Sequence, residues 1–166
     1  MPDDVNIRPA ERADHEAIWQ IFHAVISRGD SYVFDPKTPR AEALAYWFAP
    51  GTHTFIASTA GKIVGTYILR PNQPGAGDHV ANAGFMVEPA TQACSVGRAM
   101  AEHCLQEAAQ LGFRAMQFNF VISTNAPALA LWKSLGFGIV GTLPGAFRHP
   151  VHGFVDVHIM FRSLAA

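Results

Sequence analysis

The hydrophobic residues change their spacing several times along the chain, and each change predicts a new element. Apolar residues three and four positions apart predict helices over residues 14–28, 38–48, 95–110 and 127–135. Short apolar or alternating runs predict strands over residues 5–8, 53–58, 63–70, 80–87, 115–121, 137–142 and 154–161. The helix over residues 95–110 joins two strands that we expect to be parallel. Such a β-α-β unit places a ligand at the carboxyl ends of its strands.

The turn that enters this helix consists mostly of small residues. Pro89 ends the preceding strand, Ser95 is suited to cap the helix, Gly97 lets a ligand approach closely, and Arg98 adds a positive charge. The first amides of a helix are unpaired and carry a partial positive charge, so this turn can hold a diphosphate through its backbone. A simple tight connection is the alternative. The chain has neither a Walker lysine pattern nor Gly-x-Gly-x-x-Gly, which argues against nucleotide hydrolysis and dinucleotide binding.

Composition limits the partners. The 166 residues, 49% of them hydrophobic, predict a single domain over residues 1–166, and a net charge of -1 argues against nucleic acid. There is no apolar run of membrane-spanning length, and the first ten residues lack the apolar core of a signal peptide, so we expect no membrane association and a cytoplasmic location. Cys94 and Cys104 are too far apart on one helix to form a disulfide. His149, His152 and His158 show no metal-ligand pattern, so we expect no metal.

Two sequence blocks resemble the signatures of one family. The pattern Val87-x-Pro89-x-x-Gln92-x-x-Ser95-x-Gly97-x-Ala99 resembles the acetyl-CoA motif of the GNAT superfamily of N-acetyltransferases, with Ser95 in place of the first glycine. The block from Asn125 to Phe137, which begins a helix with Asn and ends in Leu-Gly-Phe, resembles the second signature of that family. The predicted order of elements fits the family over nearly the whole chain.

The resemblance implies an α/β (α+β) fold, with a mixed, mostly antiparallel sheet of about six or seven strands, about four flanking helices and a splayed central parallel pair. It implies acetyl-CoA as co-substrate, with the pantetheine arm pairing like an extra strand along residues 86 and 87. The implied cofactor-binding residues are Met86, Val87, Gln92, Ala93, Cys94, Ser95, Val96, Gly97, Arg98, Asn125 and Lys133.

The resemblance also directs attention to three catalytic candidates. The backbone N–H of Val87 would stabilise the oxyanion, Glu88 is the nearest carboxylate that could act as the base, and Asn119 would position the amine or a water. Many relatives carry a tyrosine that protonates the departing sulfur where this chain has Trp132, whose indole is no acid at neutral pH. Either Tyr67 serves instead, or the thiolate leaves unassisted.

The acceptor site is implied with less detail. In the family the first two helices and their connecting loop overlie the acceptor, so Tyr32, Phe34 and Trp47 are candidates for its wall, and core aromatics are the alternative. Residues 131–161 resemble family members that acetylate amino acids or their analogues. In that subgroup Arg148 would hold an acceptor carboxylate and Asp156 its ammonium, with surface ion pairing as the alternative.

The function expected from the resemblance is direct acetyl transfer from acetyl-CoA to a small-molecule amine. Acetylation of a protein N-terminus or lysine is one alternative, and a non-catalytic acyl-CoA sensor is another. Because members of the family often dimerise, a homodimer is also expected.

Overall fold

A computed structural model describes residues 4–91 and 94–165, with the side chain of Cys94 excluded. Within these residues the chain forms seven strands and four α-helices. The strands are β1 (Asn6–Pro9), β2 (His53–Thr59), β3 (Lys62–Pro71), β4 (Val80–Val87), β5 (Ala115–Ile122), β6 (Gly138–His149) and β7 (Gly153–Ser163). The helices are α1 (His15–Arg28), α2 (Arg40–Trp47), α3 (Cys94–Gln110) and α4 (Ala126–Ser134).

The strands form one mixed sheet in the order β1-β2-β3-β4-β5-β7-β6. Every neighbouring pair is antiparallel except β4 and β5, which are parallel and joined through α3. The predicted fold class and β-α-β unit are therefore confirmed. No helix among the described residues is long and apolar enough to cross a membrane.

The period-two pattern of the central strands supplies a separate core to each face of the sheet. On one face Ile68 and Met86 pack with residues of α1 and α2, including the fully buried Trp47. On the other face Tyr67 and Leu69 pack against α3 and α4. Because successive side chains of a strand point to opposite faces, the even-numbered residues of β4, and those of β3 from Thr66 onward, face α1 and α2. The cavity described below lies on that side.

Differences from the sequence prediction near the site concern the start of α3 and the β6–β7 hairpin. Helix α3 begins at Cys94, so Ser95 lies inside its first turn and is not the N-cap. Residues 143–153 were predicted as a long connection, but β6 continues to His149 and β7 begins at Gly153. The strand contains Pro144, and a proline is tolerated in an edge strand or at a bulge. Strand β6 is such an edge, and its pairing with β7 shifts register between Leu143 and Phe147.

Candidate active site

The parallel strands β4 and β5 separate soon after they begin. They pair only at Val80 with Ala115 and at Ala81 with Met116. The side-chain Nδ2 of Asn82 then bridges the widening space by donating to the carbonyl oxygen of Gln117 at 2.9 Å. Beyond this bridge the strands diverge and a cavity of about 700 Å³ opens between them. The register of β5 against β7 also shifts between Phe118 and Val121, which places the bulge in β5.

The ladder between β3 and β4 decides which backbone groups of β4 face this gap. Asn72 N donates to Val80 O, and Glu88 N donates to Val64 O, both at 2.8 Å. Since bonded pairs alternate along an antiparallel ladder, even-numbered residues of β4 direct their backbone groups to β3 and odd-numbered residues direct theirs to the gap. The gap edge therefore belongs to Phe85 and Val87. The backbone of Met86, which was predicted to contact the cofactor, faces β3 and pairs with Thr66 instead.

The first turns of α3 lie at the open end of the gap. Gly97 lines the cavity, and a Cβ added there would meet nothing within 4 Å. Ser95 and Arg98 are exposed and Val96 is buried. The Arg98 guanidinium donates to Ser134 Oγ at 2.9 Å and lies 3.6 Å from Glu102, so it is held between α3 and α4. Of the other residues predicted here, Gln92 and Ala93 lie outside the described residues, and Cys94 is described only through its backbone.

Helix α4 forms the opposite side of the gap. Asn125 is the N-cap of this helix, and its Oδ1 accepts a hydrogen bond from Ala128 N at 3.3 Å. Asn125 also lines the cavity. Its Nδ2 group is thereby left to donate to a ligand. Trp132 packs on Phe85 and Phe118 with ring centroids 5.1 and 4.4 Å apart and also lines the cavity. Lys133 is exposed on the same helix.

Aromatic side chains form the wall that faces α1 and α2. Tyr32, Phe34 and Trp47 all line the cavity. Trp47 is a core residue as well, because its Nε1 donates to the buried Thr66 Oγ1 at 2.9 Å. The phenol of Tyr32 donates to the carbonyl oxygen of Phe85 at 2.7 Å. Burial raises the pKa of this phenol, so Tyr32 is not an acid at neutral pH.

The cavity contains polar residues that the sequence analysis did not single out. Arg70 and Asn82 are register partners on β3 and β4, and both line the cavity. The Arg70 guanidinium lies over the ring of Tyr46, 4.6 Å from its centroid, and donates to its hydroxyl at 2.5 Å. Arg28, Asp30 and His149 line the cavity too. A polar residue within a mostly apolar strand is the sequence signal that could have identified Arg70 and Asn82.

Arg148 and Asp156, predicted to bind the acceptor, do not line the cavity. Arg148 is exposed, with its guanidinium 5.7 Å from the ring centroid of Phe154. Asp156 accepts a hydrogen bond from Gly145 N at 3.0 Å. The two side chains therefore belong to the surface of the β6–β7 hairpin. The sequence did not show this surface position, because residues 143–153 were expected to form a connection and instead belong largely to the β6–β7 hairpin.

Of the two side chains predicted to take part in catalysis, only Asn119 lines the cavity. Asn119 lines the cavity, accepts from Gln117 Nε2 at 2.9 Å and donates to Asn72 Oδ1 at 2.6 Å. Glu88 does not line it. The Glu88 carboxylate binds Lys62 at 3.1 Å and accepts from Thr91 Oγ1 at 3.1 Å. The hydrogen bond from Lys62 is the main cause of its lowered pKa, which makes it a weak proton acceptor.

Tyr67, the candidate acid, lies on the other side of the sheet. Its hydroxyl is 2.7 Å from His103 Nδ1, its side chain is fully buried, and it does not line the cavity. Burial also raises its pKa. Tyr67 therefore cannot reach a thiolate in the gap between β4 and β5.

Parallel strands that splay beside a helix N-terminus, in a chain that carries both sequence blocks, define an acyltransferase. A family model described as the acetyltransferase (GNAT) family matches residues 16–137. The chain belongs to this family and is an acetyl-CoA-dependent N-acetyltransferase. The N-acetyltransferase aca1 of Schizosaccharomyces pombe is 31% identical over 151 residues, which cover 81% of this chain and 72% of that protein.

Solved structures share the whole fold. A GCN5-related N-acetyltransferase from Kribbella flavida superimposes with a TM-score of 0.91 at 42% identity, over 96% of this chain and 97% of that one. A GNAT superfamily phosphinothricin acetyltransferase from Sinorhizobium meliloti, solved in complex with acetyl-CoA, has a TM-score of 0.86 at 20% identity, over 99% of this chain and 90% of that one. Because the identity to the Sinorhizobium meliloti enzyme is only 20%, that similarity shows a shared fold and nothing more.

Proposed function

We propose that the protein transfers the acetyl group of acetyl-CoA directly to the amine of a small molecule that carries an anionic group, such as an amino acid or an amino-acid analogue. The observation that carries this proposal is the cavity of about 700 Å³, which extends from the splayed strands to an aromatic wall and contains Arg70 opposite Asn82. Its volume falls within the range of small-molecule sites.

The cofactor would enter between β4 and β5. Val87 offers its carbonyl to an amide N–H of the pantetheine arm, and Asn125 offers Nδ2 from the other side of the gap. Gly97 leaves room for the diphosphate beside the first amides of α3. Acetyl-CoA supplies the activated acyl group, and these residues of the chain bind and orient it. The Val87 N–H remains our candidate for stabilising the oxyanion.

The acceptor amine would lie against Asn82. Asn82 lines the cavity and uses Nδ2 to bond Gln117 O, so its Oδ1 is the atom left to accept a hydrogen bond from the amine. A neutral amine that donates one N–H to this oxygen is held with its lone pair available for the thioester carbon. Asn119 is fixed by its bonds to Gln117 and Asn72 and would position the amine or a water from β5. Positioning of this kind supplies a large part of catalysis of acyl transfer.

Proton transfer would not need a side-chain base. The ion pair with Lys62 and the position of Glu88 outside the cavity argue against this carboxylate as the base. We infer that the amine reacts from its neutral fraction and gives its proton to water. The thiolate would leave without a dedicated acid, since Trp132 cannot donate a proton and Tyr67 lies elsewhere. An ordinary thiol pKa of about 8.5 permits this.

A panel of acceptors tests the proposal. Thiol release from acetyl-CoA is measured with free amino acids, their analogues, simple amines without an anionic group, and peptides. We expect turnover with amino acids or analogues and little with peptides. Preference for peptides or protein N-termini would overturn the proposal in favour of the protein acetyltransferase. Binding of acetyl-CoA without turnover on any amine would support the sensor instead.

Cofactor placement has its own test. Arg98→Ala is expected to raise the dissociation constant of acetyl-CoA by about tenfold with little effect on the acceptor KM, because one charge-assisted contact to the diphosphate is lost. Glu102→Ala is the matched control, since it removes the neighbouring carboxylate of Arg98 and leaves the guanidinium in place. Unchanged affinity in Arg98→Ala would contradict the diphosphate assignment.

A homodimer and a cytoplasmic location remain predictions. Apolar side chains exposed on the β6–β7 hairpin, among them Val140, Leu143 and Phe154, support the dimer. Light scattering across a concentration series tests it, and a constant monomer mass would contradict it.

A further inference from the structure

His149 lines the cavity but is not among the residues proposed to bind the cofactor or the amine. It is the last residue of β6 and lines the cavity beside the turn that leads to β7. The next residue, Pro150, packs near Gly29, where an added Cβ would lie 4.0 Å from Pro150 Cγ. The turn therefore rests against the end of α1, next to Arg28. His149 and Arg28 thus border the same part of the cavity.

The hydrogen bonds of the turn assign the protonation of the His149 ring. Nδ1 lies 3.1 Å from Val151 N and 3.2 Å from His152 N, and both backbone N–H groups donate to it. A ring nitrogen that accepts hydrogen bonds carries no proton, so the proton of the neutral ring is on Nε2. Protonation of Nδ1 would break both bonds. The edge of the ring that remains for a ligand therefore carries a fixed N–H donor.

From this geometry we propose that Nε2–H of His149 binds an oxygen of the acceptor's carboxylate, and that His149 is a specificity residue and not the catalytic base. The inference rests on the proposed small-molecule function. A base must accept a proton at the nitrogen that faces the amine, and here that nitrogen already holds one. Arg28, Asp30 and Arg70 also line the cavity, and Asp30 lies 3.7 Å from the Arg28 guanidinium. The two guanidinium groups outnumber the one carboxylate, so the charges favour a carboxylate as the group that is bound.

The test uses an amino acid that the wild-type enzyme acetylates and the carboxamide of the same amino acid, which lacks the negative charge. For each variant the kinetic constants are divided by those of the wild type with the same acceptor, so that the different basicity of the two amines cancels. The variants are His149→Ala, His149→Gln and the matched control His152→Ala. His152 stacks on His149 with centroids 4.5 Å apart, but it is exposed and does not line the cavity.

We expect His149→Ala to raise KM for the amino acid about tenfold or more, with kcat changed less than about threefold, because a hydrogen bond to a charged group is lost. KM for the carboxamide should change much less. His149→Gln, whose amide places a donor near the position of Nε2, should recover most of the affinity for the amino acid. His152→Ala should behave as the wild type with both acceptors.

A spectroscopic measurement is independent of turnover. In the ¹⁵N-labelled protein, two-bond nitrogen–proton correlations distinguish Nε2–H from Nδ1–H, and the signal missing in His149→Gln identifies the ring. The neutral Nε2–H form at pH 7.5 is the expected result. An Nδ1–H or doubly protonated ring would overturn the inference, as would an equal loss with both acceptors in His149→Ala. Failure of the wild type to acetylate any amino acid or amino-acid analogue would instead refute the proposed function.

Discussion

The phenol of Tyr32 is bonded to the carbonyl oxygen of Phe85 at 2.7 Å, and this bond joins the loop after α1 to the gap-facing edge of β4. Gly84 makes the contact possible, because a Cβ at this position would lie 3.3 Å from the Tyr32 hydroxyl. One side chain therefore connects the aromatic wall of the acceptor site to the strand that is expected to hold the cofactor.

Replacement of Tyr32 by Phe tests this connection. The buried Phe85 carbonyl loses its donor and the loop loses its attachment, so we expect the acceptor KM to rise about fivefold while KM for acetyl-CoA changes less than about twofold. Gly84→Ala displaces the same hydroxyl and should give the same pattern in steady-state kinetics. A selective rise in KM for acetyl-CoA would show that the bond serves the cofactor instead.

Asn82 should control the rate more than acceptor affinity. Asn82→Ala removes the oxygen that orients the amine, and we expect kcat to fall by about ten- to a hundredfold. Asn82→Asp keeps an oxygen acceptor but loses the donor to Gln117 O and introduces a titratable group. Its pH profile should therefore show one titration more than the profile of the wild type, which falls toward acid pH only as the acceptor amine is protonated. An unchanged kcat in Asn82→Ala would contradict the positioning role.

Glu88 should be dispensable for proton transfer. Lys62 lowers the pKa of this carboxyl, so it is ionised throughout the neutral range and contributes no inflection there. We expect Glu88→Gln to keep kcat/KM within about threefold of the wild type between pH 7 and 9. Lys62→Met is the matched control for the loss of the ion pair. A general base would instead contribute about a hundredfold or more, and a loss of that size would restore Glu88 as the base.

Gly65 fixes how closely α3 approaches β3. A Cβ at this position would lie 3.0 Å from Met100 Sδ and Cε and 3.2 Å from Val96 Cγ1, all in a packed core. Gly65→Ala is expected to lower the free energy of unfolding by about 1–3 kcal/mol and to weaken acetyl-CoA binding through a displaced first turn of α3.

Denaturant unfolding and calorimetric titration measure these two effects of Gly65→Ala. Gly138→Ala is the control, because its Cβ would meet nothing within 4 Å. Shortening Met100 should relieve part of the strain, so the double variant with Met100→Ala should lose less stability than the sum of the single variants. Full additivity would contradict the contact.

Asp14 should make stability depend on acid pH. Its carboxylate binds Arg8 at 2.8 and 2.9 Å and accepts from Glu11 N at 2.7 Å, and Arg8 is the main cause of its lowered pKa. Since the folded pKa lies below the unfolded value of about 3.9, the stabilisation is complete above that pH and is lost as the pH falls through the folded pKa. The unfolded state binds the proton first.

Asp14→Asn should therefore lower the free energy of unfolding by about 1–3 kcal/mol at pH 7, and the difference from the wild type should shrink below about pH 4. Urea titrations at several pH values measure it. The exposed Asp78 supplies the control variant Asp78→Asn, which should remain within about 0.5 kcal/mol of the wild type. A difference that persists at pH 2 would contradict the linkage.

The sequence by itself determined the order of the elements and the family, and it predicted the place of the cofactor site. Periodicity is a local property, so β4 was predicted over its observed range, and both signature blocks are contiguous in the chain. The end of β6 could not be found in this way, because a strand can continue through Pro144 only where it is an edge strand or has a bulge.

The tertiary structure alone decided which groups meet in the cavity. The register of β3 against β4 placed Arg70 opposite Asn82 and turned the backbone of Phe85, not Met86, to the gap. The β6–β7 turn brought His149 to the cavity, while Arg148, its neighbour in sequence, remained on the surface. Pairing register and strand alternation set these positions, and a shift of one residue would reverse each of them.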